Sequence, residues 1–137
     1  MSTRSNIGIR ENDGSVVLIY CHSDGYPAYN GMMLLKHHNS EAAARALVSF
    51  GDMSSLDKKT SPPNGVTHTF DNSVEGVSRY YGRDRGEEGV EPRTLPPAVD
   101  PIQQEYCYLW NVEAGKWEWA AAKCKFQLLT PAAWGGE

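Results

Sequence analysis

At 137 residues, with 17 acidic against 13 basic side chains and a formal charge of −4, the chain is one domain long. It lacks the basic excess that a general duplex-binding protein needs. Three cysteines, Cys21, Cys107 and Cys124, are too few and too odd in number for a disulfide framework. No run nears the roughly 20 apolar residues that cross a bilayer, and the opening MSTRSNIG has no apolar signal core, so the expectation is a reduced, cytoplasmic protein.

Residues 6–10 (NIGIR) alternate, with Ile7 and Ile9 on one side, and Asn12-Asp13-Gly14 is a hairpin turn signal. Ser15 to Cys21 (SVVLIYC) is apolar on both faces and suits a covered central strand, so the first two strands are expected to pair antiparallel. Pro27 suits a first helical turn, with Asp24 placed ahead of it as an N-cap or Asx-turn residue, and Ala28, Met32 and Leu35 fall on one helical stripe. Ser40 predicts the start of a second helix that runs to Phe50 and stops at Gly51. Residues 52–76 read as a long loop turning at Pro62-Pro63-Asn64-Gly65, Val77 to Arg85 as a strand, and 86–104 as another Pro-punctuated loop. Glu105 to Val112 and Lys116 to Ala120 alternate on either side of Ala114-Gly115, the clearest hairpin in the chain. Lys123 to Leu129 is read as a last strand and 131–137 as a flexible tail. This order predicts a single α+β domain over 1–137, with a mainly antiparallel sheet carrying two helices on one face.

Two stretches carry candidate chemistry. In IYCHSDGYP, His22 and Asp24 could orient one another, since histidine is the usual general base near neutral pH. Cys21 and His22 are adjacent, however, so on a strand they point to opposite faces and form no dyad. The plainer reading is a strand stop followed by a cap, with His22 on the rim of a site. In RYYGRDRGEE, an extended backbone would place Arg79, Tyr81, Arg83 and Arg85 on one face, a surface suited to a phosphate, a carboxylate or a stacked base. The competing reading is that Asp84, Glu87 and Glu88 neutralise these arginines in solvated ion pairs. Gly82 and Gly86 would allow a close approach by a ligand. Thr3, Arg4 and Ser5 could add donors to the same site. The stripe of Tyr106, Tyr108 and Trp110 facing Trp117 and Trp119 reads as packing. No CxxC, HxH or HExxH spacing joins the cysteines and histidines, so neither metal nor cofactor is expected.

The stretches MSTRSNI, IYCHSDGYP, YGRDRGEE and EYCYLWNVEAGKWEW together resemble a family of small proteins from bacteriophages and bacterial mobile elements, whose second motif has the form CHWDGYP; this chain has Ser23 in place of that tryptophan. The resemblance implies a phage-type accessory protein of the kind that blocks host enzymes or immune pathways in counter-defence. It implies no particular chemistry. The function expected from residues and resemblance together is capture of a small anionic, nucleotide-derived ligand without turnover, using Arg79, Tyr81, Arg83, Arg85, His22, Asp24 and Arg4. Two alternatives stay open. One is a protein–protein inhibitor of a host factor working through the Tyr/Trp hairpin, with self-association of the chain also open. The other is a small hydrolase or phosphodiesterase with His22, Asp24 and Glu87 in acid–base roles.

Overall fold

A computed structural model describes residues 2–136. The N-terminal hairpin forms where the alternation and the turn signal place it. Strands β1 (Ser5–Arg10) and β2 (Val16–Cys21) pair antiparallel in full register from Ser5↔Cys21 to Arg10↔Val16. A π-helical turn at Pro27–Gly31 leads directly into α1 (Met32–His37), followed by α2 (Glu41–Ser49). After α2 come β3 (Met53–Ser55), β4 (Arg79–Tyr80), the single-turn helix α3 (Tyr81–Arg85) and β5 (Arg93–Leu95). The chain ends with β6 (Tyr106–Asn111), β7 (Lys116–Ala121), β8 (Gln127–Leu128) and a 3-10 turn at Pro131–Trp134.

All eight strands belong to one sheet in the order β4-β3-β2-β1-β6-β7-β8, with β5 pairing on β2 off that path. The fold is α+β, and the sheet is mixed. The β1–β6 and β2–β3 joins are parallel, and the remaining pairs are antiparallel. The parallel β1–β6 join puts the first strand in the middle of the sheet, which no local pattern in its own residues could reveal.

The two faces of the sheet are covered unequally. On one face Ile7, Ile9, Ile19 and Cys21 pack with Met33, Leu34, Leu47 and Val48 of the two helices, and with Tyr80, Tyr108, Trp110 and Trp117. Ser40 caps α2 by accepting the Ala43 N–H at 3.1 Å, which satisfies one of the unpaired donors at that helix start. On the other face a thinner layer of Val16, Leu18, Cys107 and Leu109 lies under Leu95, Ile102 and Phe126. Gly8 is required between the layers, because a Cβ there would meet the Val17 carbonyl oxygen and the side chains of Leu18 and Leu109.

Several expectations change. The stripe of Ala28, Met32 and Leu35 is not the buried one: Ala28 is exposed, and Pro27, Asn30, Gly31, Met33 and Leu34 are buried. The π-helical turn adds a residue per turn and rotates the buried face. Residues 77–85 do not run as one strand, because the backbone coils after Tyr80 into α3, which Gly86 ends at φ 74°. The stretches 52–76 and 86–104 are not wholly loop, since each contributes a short strand to the sheet. The predicted last strand over Lys123 to Leu129 shrinks to Gln127–Leu128. Pro131–Trp134 is not a loose tail: it forms a helical turn whose Ala133 and Trp134 pack against the core, while Glu137 lies outside the described residues.

Candidate functional site

The Ser5↔Cys21 pairing sets the geometry of one corner of the sheet. Arg4 precedes Ser5 and His22 follows Cys21, so both lie at the same end of this pair. The loop after β2 is held against the N-terminal segment, with Gly25 N–H donating to the Thr3 carbonyl at 2.8 Å and the Tyr108 hydroxyl donating to the Gly25 carbonyl at 2.6 Å. Gly25 permits this contact, since a Cβ there would come within 2.8 Å of the Ser5 Cβ and 2.9 Å of the Arg4 backbone. On the other side, His22 N–H bonds the Met53 carbonyl and Ser23 N–H bonds the Ser54 carbonyl, each at 3.0 Å. The polar runs around Arg4 and His22, far from β4 in sequence, are thereby brought to the strands that precede Tyr81.

Strand alternation decides which side chains share the open face here. Ile19 and Cys21 face the helix-covered core, so Tyr20 and His22 face the other way. The Tyr20 hydroxyl and His22 Nδ1 lie 2.7 Å apart. Burial raises the Tyr20 phenol above its ordinary pKa; the nearby Arg4 guanidinium offsets part of this, and the neighbouring Tyr81 and Cys21 add to it. Arg4 and His22 thus flank Tyr20 at this corner, and Tyr81 stands beyond Asp52, whose carbonyl accepts the Tyr81 N–H at 3.2 Å. Arg4 is exposed, and among the described residues no carboxylate forms an ion pair with it. The nearest acid along this row, Asp52, is engaged, since it accepts the Tyr20 N–H at 2.8 Å and pairs with Arg93 at 3.1 Å.

The three arginines of the second motif part company because the backbone is helical there. Arg79 reaches back over the Phe70 ring, 4.9 Å from its centroid, with long bonds to Ser55 Oγ and the Phe70 carbonyl, and no carboxylate among the described residues pairs with it. Tyr81 stacks on Phe70 with centroids 5.6 Å apart and ring planes 24° apart. Arg85 lies over both rings, 4.5 Å from Phe70 and 4.9 Å from Tyr81, and pairs with Glu87 at 2.6 Å. Arg83 turns away altogether. It grips Asp84 with two bonds of 2.8 and 3.0 Å, donates to the carbonyls of Thr60 and Ser78, and covers the rings of Tyr80 and Phe50. Placing Arg79, Tyr81, Arg83 and Arg85 on one extended face is therefore corrected. Arg83 is a structural clamp, while Arg79, Tyr81 and Arg85 surround Phe70.

Asp24 is not a helix cap. Tyr26 holds the cap position with no side-chain bond, and Asp24 sits at φ 54°, a left-handed conformation that aspartate tolerates better than most residues. It accepts a 3.2 Å bond from the Tyr26 hydroxyl. His22, Asp24 and Glu87, the trio of the hydrolase reading, each bond a different partner, respectively Tyr20, Tyr26 and Arg85. Cys21 is fully buried beside the Asn30 amide, and burial pushes its thiol up to about 11, so it is held as a neutral core group. The Tyr/Trp stripe is mostly interior: Tyr108, Trp110 and Trp117 are buried, and Trp110 and Trp117 meet edge to face at 5.7 Å.

Two residues of this corner escaped the sequence reading. Tyr20 was findable, because it lies two positions before His22 on a strand and so shares its face. Phe70 was not, since it lies in a stretch with no periodicity. Among the described residues no group of three or more His, Cys, Asp or Glu is placed to hold a metal ion, and no helix is long and apolar enough to cross a membrane. The chain matches no protein-family model, no curated protein and no solved structure.

Proposed function

We propose that the protein captures a small anionic, nucleotide-derived ligand at the corner of Arg4, Tyr20 and His22, with Tyr81 beyond Asp52, and holds it without turnover. The observation that carries this reading is the exposed Arg4 guanidinium, without a carboxylate partner among the described residues and at the same end of the Ser5↔Cys21 pair as His22. A guanidinium supplies a planar fork of donors matched to phosphate oxygens, and the phenols of Tyr20 and Tyr81 add hydroxyl donors. The separate engagement of His22, Asp24 and Glu87 favours holding over hydrolysis, because acid–base catalysis needs such groups to converge on one reacting atom. The resemblance of its motifs to those of phage and mobile-element proteins would give the capture a biological sense, namely a counter-defence protein that withdraws a nucleotide signal inside the host cell.

Calorimetry against nucleoside monophosphates, diphosphates and cyclic nucleotides tests the proposal, with chromatography of the mixtures to detect turnover. A ligand recovered intact is expected, its affinity reduced about tenfold or more by Arg4→Ala, in line with the loss of a charge-assisted bond worth about 1.5–3 kcal/mol. Arg4 is exposed, so that substitution should leave the fold stable. Absence of binding across the panel, or affinity undiminished from wild type in both Arg4→Ala and His22→Ala, refutes the capture reading; a ligand recovered cleaved moves the protein to the hydrolase reading.

A further inference from the structure

Phe70 is held by unusual company for a loop residue. Its ring stacks on Tyr81 and lies within cation–π reach of two guanidiniums, Arg79 at 4.9 Å and Arg85 at 4.5 Å. An aromatic ring on a tyrosine, flanked by arginines, is also how proteins hold a nucleic-acid base, because every base offers a π-face to such a platform. Tyr81 is shared: its ring stacks on Phe70, while its N–H bonds the carbonyl of Asp52 at 3.2 Å and the Asp52 carboxylate accepts the Tyr20 N–H at 2.8 Å. A base on Tyr81 would thus belong to a ligand whose phosphate could reach the Arg4–His22 corner.

The attachment of Phe70 is local and slight. His68 anchors one side: its side chain is 1 % exposed, Nδ1 accepts the Val74 N–H at 2.9 Å, and Nε2 lies 3.1 Å from the Ser78 carbonyl and 3.2 Å from Asp84. Between His68 and Val74 lies a short tip closed on itself, with Thr69 N–H donating to the Asn72 carbonyl and Asn72 N–H to the Thr69 hydroxyl. Thr69, Asp71, Asn72 and Ser73 are exposed; the Phe70 N–H to Asp84 carbonyl bond, 2.9 Å, ties the tip to α3, and Arg79 adds a long 3.4 Å bond to the Phe70 carbonyl. A tip of this kind, with few buried contacts, belongs to the least stable part of a fold and can open without disturbing its anchors.

We infer that the Phe70 slot between Arg79, Tyr81 and Arg85 is the base subsite of the captured nucleotide, and that Phe70 is its displaceable occupant in the free protein. This rests on the capture reading and adds to it the ligand class, a base-bearing phosphate, and a built-in competitor. Because the competent state is the one with the slot vacated, occupancy by Phe70 lowers the apparent affinity by the fraction of time the slot is filled.

The test compares AMP with ribose 5-phosphate, which offers the same phosphate without a base, on wild type, Phe70→Ala and Phe70→Leu. The leucine variant retains an apolar side chain but loses the π-face, and circular dichroism and melting check that both variants fold. Phe70→Ala should bind AMP about tenfold more tightly than wild type, while ribose 5-phosphate binds all three proteins equally. Adding Tyr81→Ala should abolish the gain. Equal AMP affinity in wild type and Phe70→Ala, with ribose 5-phosphate still bound, overturns the base subsite and leaves the anion site standing. Weaker AMP binding by Phe70→Ala likewise overturns the competitor role, making Phe70 a clamp. Failure of wild type and variants to bind either probe removes the capture reading and this inference with it.

Discussion

Arg83 and Arg85 are two residues apart and both cover aromatic rings, yet their surroundings give them opposite energetic weight. Arg83 holds Asp84, whose side chain is 2 % exposed, and ties α3 to Thr60 and Ser78. Burial alone would raise the Asp84 carboxyl, but bonds from Arg83 and the Tyr80 N–H, helped by the Arg83 charge, bring it below the ordinary carboxylate value. Removing one partner of such a pair leaves a buried charge uncompensated, so Arg83→Ala should cost about 3–5 kcal/mol. Arg85 and Glu87 are both largely exposed, and Arg85→Ala should leave stability nearly unchanged. Urea denaturation of the two variants checks the contrast; equal losses would mean that the Arg83 clamp is no stronger than a solvated ion pair. The same contrast explains why substituting Arg83 would report on folding before it reported on ligand.

At the scale of elements, α1 ends on a buried histidine. His38 is 3 % exposed, its Nε2 bonds the Asp57 carbonyl at 2.8 Å, and its own carbonyl accepts the Trp117 indole N–H at 3.0 Å, so it joins α1, the segment after β3 and the β6–β7 hairpin. Burial lowers its pKa, the bond to Asp57 acting the other way and the neighbouring His37 reinforcing the drop. The unfolded chain therefore binds a proton more readily than the folded one. The stability that His38 contributes is complete above about pH 6.5, the ordinary histidine value, and is lost as the pH falls below it toward the lowered folded value. Chemical denaturation between pH 7.5 and 5.5 should show this decline, and His38→Gln, which keeps a donor for Asp57, should flatten it; an unchanged slope would place the titration elsewhere. His38 was visible in the sequence only as the end of a helical segment, whereas elements with strong local signals were legible in full. The Asn12-Asp13-Gly14 hairpin, the Ser40 cap and the β6–β7 alternation all formed within a residue or two of their expected bounds. What stayed hidden depends on distant partners. The helical turn at 81–85 is stabilised by Arg83 reaching Thr60, the π-helical turn shifts the α1 face, and the parallel joins of β1 with β6 and β2 with β3 are made across long stretches of chain. Of the candidate site, Arg4, His22 and Tyr81 were singled out by the sequence but their arrangement was not, since an extended 79–85 segment was the wrong backbone on which to project Arg83.

Across the whole molecule, the sheet divides the interior into two layers of unequal depth, and each contains one cysteine. Cys21 lies in the larger layer under both helices, fully buried and bonded to the Asn30 amide. Cys107 lies in the thinner one with Val16, Leu18 and Leu109, its thiol 3.5 Å from the Pro101 carbonyl, and burial pushes that thiol still further up. Cys124 is exposed near the turn between β7 and β8. An accessible thiolate is the nucleophile that attacks a thiol reagent, so the native protein should react at once with one equivalent, through Cys124, and only slowly at the other two. The slow rates then measure how each layer opens. The cover of Cys107 is a Pro-rich segment whose residues 96–100 and 103–105 are mostly exposed and which holds its place through Leu95 and Ile102 together with the Gln103 N–H to Asn6 bond of 3.0 Å. Reaching Cys21 requires lifting helices packed on the central strands. Sub-global opening follows the local density of buried contacts, so Cys107 should be labelled faster than Cys21 in dilute urea although both start fully buried. Mass spectrometry of the labelled peptides against time reads the two rates directly. Identical rates that track global unfolding would mean that the thin layer opens only with the rest, making the molecule one cooperative unit despite its asymmetry.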